Sequence, residues 1–97
     1  MIRVAWLSGV WAPRVFCDHC GQPIDDVRDG NAEWKEDTRI VYYTHKHCCA
    51  HFEELHGGRA QWLTDELADH LGYLCHNTRF DKLAWDSDPL ARMRRFL

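Results

Sequence analysis

The sequence predicts a small α+β domain, with strands in its first half and helices in its second. Three observations carry this. A β-branched and aromatic run, Arg39-Ile40-Val41-Tyr42-Tyr43, follows a second extended stretch at 32–35 across Glu36-Asp37-Thr38, the pattern of two strands joined by a turn. Gly57-Gly58 closes a segment in which Cys48, Phe52 and Leu55 recur at helical spacing. Beyond it, Leu67, Leu71, Leu74 and Cys75 lie on one face of a further helix.

Taken in order, Ile2–Leu7 alternates loosely enough for a strand, and 14–16 is a second short extended candidate. Cys20-Gly21-Gln22-Pro23 is turn chemistry, because Gly admits positive φ and Pro cannot continue a helix. Residues 25–31 read as an acidic loop with its tightest bend at Gly30-Asn31. Strands at 32–35 and 39–43 follow, then a helix from 46 or 47 to 56. Thr64 is the expected cap of the next helix, with Asp65 and Glu66 in its first turn and its end near Asn77. Asp88-Pro89 repeats the start signal for a short terminal helix through Phe96.

The chain has 97 residues, 45% hydrophobic and 28% charged. That suits one domain with a modest core, so outside stabilisation is expected. No apolar run approaches the roughly 20 residues of a membrane span. The longest, 4–12, is broken by Ser8 and Gly9, and no secretory leader is read there. With 12 basic and 15 acidic residues the formal charge is −3, which argues against a non-specific nucleic-acid coat. Residues 18–37 hold seven acids (Asp18, Asp25, Asp26, Asp29, Glu33, Glu36, Asp37) against Arg28 and Lys35, read as a solvated acidic loop, with a docking surface for a basic partner as the alternative. The end of the chain carries Arg92, Arg94 and Arg95, read as cations at a helix C-terminus.

Five cysteines and seven histidines cluster in the chain. The odd cysteine count does not suit a closed disulfide framework. Zinc needs four converging ligands, and pairs with two residues between them supply them economically. Cys17-Asp18-His19-Cys20-Gly21 is one such pair on a tight turn. For the second, His45 with Cys48, Cys48 with His51, and His45 with Cys49 compete. Cys48 heads the inward stripe while Cys49 is rotated about 100° away, and His45 closes the strand that returns beside the turn. The favoured set is Cys17, Cys20, His45 and Cys48, spaced C-x2-C-x24-H-x2-C, with replacement by Cys49 or His51 left open.

This pattern resembles a treble-clef zinc finger, and Thr44-His45-Lys46-His47-Cys48 is similar to the histidine-lysine-x-cysteine step in the first zinc module of LIM domains. The resemblance covers about 14–57. It implies a knuckle, hairpin and helix around one structural Zn²⁺ held by three cysteines and one histidine, and a role in binding partners. The 24-residue spacer is longer than in LIM domains and no second zinc module follows, so their partners are not carried over. Residues 1–97 are read as a single domain, 14–57 the zinc-finger part and 58–97 the helical extension.

The remaining candidates are read as structural. Cys75 is expected in the core and Cys49 is a spare thiol. His19, His47, His51 and His56 are expected at the surface, and Trp6, Trp11, Trp34, Trp62 and Trp85 as core filling. His70 and His76 lack metal-site spacing. A hydrolase would need an open metal position and a base such as Glu53 or Glu54, but His51 and His56 stand five apart, off one helical face. A nuclease built on a treble clef is the alternative enzyme, and it would want a histidine base and a second metal-binding cluster, for which the histidines lack the pairing. A thiol–disulfide reading of Cys17 and Cys20 lacks the surrounding βαβ pattern and the following helix. The sequence therefore favours a cytoplasmic, zinc-stabilised binding module over an enzyme, with a protein rather than a nucleic acid as partner. Residues 1–13 are expected either to cover an edge of the finger or to serve as an arm.

Overall fold

Ser8 and Gly9 both take positive φ (50° and 88°), the twist that a two-residue hairpin loop requires. In the computed structural model, which describes residues 1–87, they join β1 (Ile2–Leu7) to β2 (Val10–Val15). The pair forms its own two-stranded sheet, with Ile2 opposite Val15 and Leu7 opposite Val10. The strand read at 14–16 thus starts earlier, at Val10.

The second sheet has the order β4-β3-β5, all antiparallel, from β3 (Gly30–Lys35), β4 (Tyr42–His45) and β5 (Trp62–Glu66). Helix α1 (Cys49–Leu55) follows β4 through a 3₁₀ turn, Lys46–Cys48. Helix α2 (Leu67–Asn77) leaves the end of β5, and α3 (Lys82–Ser87) comes last among the described residues.

Alternation along β3 divides the work between the two helices. Ala32 and its partner Tyr43 face the main core, which also holds Cys17, Ile24, Cys48 and Leu67. There α2 lies so close that a Cβ on Gly30 would meet Leu67 Cδ2 at 2.7 Å and Ile24 Cγ2 at 3.0 Å. On the opposite face Glu33, Tyr42 and Thr64 meet α1. The Phe52 ring lies 5.6 Å from Tyr42 and 5.2 Å from Trp62, a satellite cluster of edge and tilted ring contacts.

Several expectations are corrected. The second strand of the hairpin begins at Tyr42, because Arg39 takes φ 57° and ends the turn there. Residues 62–66 are strand rather than a capped helix start: β3 has a free edge, and pairing with it outweighs the local cap signal. Thr64 directs its hydroxyl to Glu53 at 3.4 Å instead. Leu55 is 72% exposed, since α1 turns Phe52 and Glu53 inward. Leu74 is exposed and Cys75 only half-buried. None of the five tryptophans reaches the buried core; Trp6 and Trp11 are exposed, and Trp34, Trp62 and Trp85 are half-buried. The acidic stretch is not uniformly solvated either, because Glu33 is buried. The terminal helix from Asp88 through Phe96, with Arg92, Arg94 and Arg95, lies outside the described residues.

Leu67 is 1% exposed at the junction of α2, β3 and the loop carrying Ile24. Leu67→Ala is expected to cost about 2–5 kcal/mol in urea denaturation. Leu55→Ala should stay within about 0.5 kcal/mol of wild type.

Candidate metal centre

The turn carrying Cys17 and Cys20 is built by backbone bonds before any side chain is considered. Phe16 bridges Pro23, Cys17 N–H donates to Gln22 O at 2.8 Å, and Gly21 N–H donates to Cys17 O at 2.9 Å. Gly21 sits at φ 76°, where a Cβ is disfavoured. The turn is then fastened to β4. Asp18 N–H donates to Tyr43 O at 2.7 Å, and Asp18 Oδ2 accepts from Tyr43 N–H and from the Met1 amino group, each at 2.8 Å. This clasp sets His45, two residues beyond Tyr43, beside the turn.

One donor atom each from Cys17, Cys20, His45 and Cys48 lies within 4.8 Å of the others. Cys17 and Cys48 are buried, His45 is half-buried and Cys20 is exposed. The group could bind a metal, in the manner of a zinc finger. Three backbone N–H groups point at Cys17 Sγ, from His45 at 3.3 Å, His19 at 3.4 Å and Cys20 at 3.5 Å. Burial alone would push this thiol up, but the N–H groups outweigh it and bring its pKa down to about 7. Cys48 is driven the other way, up to about 12, by burial and by the negative charge of Cys17 and Cys20. A cation among the sulfurs reverses that logic and leaves all three as thiolates.

His45 is oriented by its second nitrogen. Nε2 lies 3.2 Å from Pro23 O and donates to it, which leaves Nδ1, 3.3 Å from Cys20 Sγ, with a lone pair toward the sulfurs. Three sulfurs and one such nitrogen are the donor chemistry that suits Zn²⁺, at about 2.3 Å for Zn–S and 2.0–2.1 Å for Zn–N.

The competing second pairs are separated. His51 is exposed and stacks on His19 at 6.1 Å. Cys49 turns away to a group that sequence reading did not find. Its sulfur lies 3.2 Å from Glu33 Oε2 and 3.3 Å from Glu53 Oε2, and Thr44 donates to Glu33 Oε1 at 2.7 Å. Burial first, then the hydrogen bond with Glu53, pushes the Glu33 carboxyl up to about 7. Burial and the two carboxyl groups push the Cys49 thiol up to about 12. The donor atoms of Glu33, Cys49 and Glu53 also lie within 4.8 Å of one another, and a proton retained on Glu33 satisfies that closeness. The signals were present: Glu33 shares a sheet face with Tyr42, and Glu53 stands one helical turn from Cys49. A charged residue in an acidic stretch gave no reason to place it inside.

His19, His47, His51 and His56 are exposed, as expected. His70 accompanies the main core, its Nε2 3.0 Å from the Tyr43 hydroxyl. No protein-family model, no curated protein and no solved structure matches the chain.

Folded Glu33 keeps its proton to about pH 7, whereas the unfolded chain releases it near 4.5, so this group's contribution to stability is lost as pH rises through that interval. Glu33→Gln removes the ionisation while keeping an acceptor for Thr44. In metal-saturated denaturation at pH 5 and pH 8, the stability of Glu33→Gln relative to wild type should rise by at least about 1 kcal/mol. Any effect of pH on the metal centre is common to both proteins and drops out of the difference.

Proposed function

We propose that the protein is a zinc-stabilised binding module, with Cys17, Cys20, His45 and Cys48 holding one structural Zn²⁺. The observation that carries this reading is the convergence of these four donors around a Cys17 sulfur already receiving three N–H groups. Four protein ligands complete a tetrahedron and leave no position for substrate or water, so the metal serves the fold. The order of knuckle, β3–β4 hairpin and α1, with Cys48 at the helix entrance, supports a treble-clef arrangement over 14–57, extended by 58–97. A metal of this kind contributes about 10–16 kcal/mol of apparent binding free energy, more than a core of a few buried side chains can supply.

The working surface is then outside the metal centre. The net charge of −3 favours a protein partner over a nucleic acid. Asp25, Asp29, Glu36 and Asp37 are exposed around the sheet and offer an acidic rim to such a partner in the cytoplasm.

Native mass spectrometry tests the ligand set. Wild type, Cys49→Ser and His51→Ala are expected to carry one zinc per chain, and Cys17→Ser, His45→Ala and Cys48→Ser to lose it together with their folded charge-state distribution. A metal-free chain lighter by two hydrogens, with Cys17 and Cys20 joined, would contradict the module and leave thiol chemistry in its place. Chelation supplies a second check. Excess chelator should unfold the wild type, as followed by circular dichroism, and added Zn²⁺ should restore it.

A further inference from the structure

The β1–β2 ribbon carries one wholly apolar face. Its register sets Ile2 opposite Val15, Val4 opposite Pro13 and Trp6 opposite Trp11, and directly opposed residues share a face. All six are apolar. The other face differs: Arg3 and Arg14 stand opposite each other there, Arg3 lies over the Phe16 ring at 4.3 Å, and Arg14 pairs with Asp25. Among the described residues nothing covers the apolar face, and Ile2 is 57%, Val4 63%, Trp6 58% and Trp11 65% exposed. The ribbon belongs to neither edge of the three-stranded sheet and packs on the main core at its base, through Val15, while a two-stranded ribbon with little packed against it is marginally stable in water.

From this we infer that the ribbon face is an interface between two copies of this chain, packed face to face about a two-fold axis through Val4 and Pro13. The area is sufficient. The four open side chains present roughly 500 Å² per copy, so pairing removes roughly 1,000 Å² from water, the size at which a specific interface begins. The shape is self-complementary. Bulk falls from the Trp6–Trp11 pair at the turn, its rings 5.6 Å apart, through Val4 and Pro13 to Ile2 and Val15 at the base. A two-fold at the middle sets each tryptophan pair on the smaller base of the other ribbon, the large-on-small match that a close-packed interface needs. Because the face bears no charge, no like charges are brought together. Pro13 offers no N–H, so the β2 edge is a poor template for adding a strand, and association goes through the face. The inference does not rest on the metal centre.

Sedimentation equilibrium of the full chain, from micromolar to hundreds of micromolar, tests it. The wild type is expected to reach twice the 11.5 kDa chain mass. Val4→Arg and Trp11→Arg should each weaken association by more than about ten-fold, while Leu7→Arg, on the other face of the same strand, should leave it unchanged. Amide spectra of β3, β4 and β5 report whether each variant keeps its fold, and the two face variants guard against failure of either one. A wild type at monomer mass throughout overturns the inference, as does a dimer that Leu7→Arg breaks and the face variants do not. Monomers that bind phosphatidylcholine vesicles through Trp6 and Trp11 overturn it in favour of a lipid surface.

Discussion

The sulfur of Cys17 joins parts of the chain that are far apart in sequence. It is buried, it takes N–H groups from its own turn at His19 and Cys20, and it takes a third from His45 at the end of β4. The Asp18 carboxylate and backbone fasten the same turn to Tyr43. Once these bonds are made, the end of β4 and the entrance of α1 can only lie beside the turn, and the four donor side chains meet as a consequence. The price is a concentration of soft, ionisable sulfur with opposed proton affinities at Cys17 and Cys48. A bound cation is the direct way to reconcile them.

The remainder of the fold is arranged so that each face of a three-stranded sheet has its own helix. Leu67 of α2 closes the main core over Gly30 and Ile24. Helix α1 covers the other face with Phe52 and with a buried polar group, Glu33, Cys49, Glu53 and Thr44, whose members satisfy one another. Such a group adds little net stability, because burial costs most of what its hydrogen bonds return, but it fixes the rotation of α1 against the sheet. That rotation is what separates Cys48, facing Cys17, Cys20 and His45, from Cys49, facing the carboxyl groups.

Much of the site was legible because its signals are local. The C-x2-C turn with Gly21, the His45–Cys48 spacing and the helix stop at Gly57-Gly58 depend on nearest neighbours, and the four donors do meet. What stayed hidden depends on contacts between distant segments. Thr64 reads as a helix cap until β5 is known to have an edge to join. Glu33 reads as one acid among seven until its neighbour across the sheet is Tyr42 and its cover is α1. Leu55 fits the helical stripe, yet a seven-residue helix has room for little more than one inward turn, and Phe52 and Glu53 fill it. The tryptophans were misplaced for a related reason. Their size suggested core, but the buried space in so short a chain is taken by smaller residues such as Cys17, Ala32 and Leu67.

A zinc-stabilised module requires that three sulfurs and one imidazole nitrogen hold a single zinc. X-ray absorption at the zinc edge of the metal-loaded full chain tests it most directly. The expected first coordination sphere is three sulfurs at about 2.3 Å and one nitrogen at about 2.0–2.1 Å, with no oxygen. A sphere containing oxygen or fewer sulfurs would contradict it by placing the metal at the Glu33–Cys49–Glu53 group or in an open site. Failure to retain zinc at all would remove it.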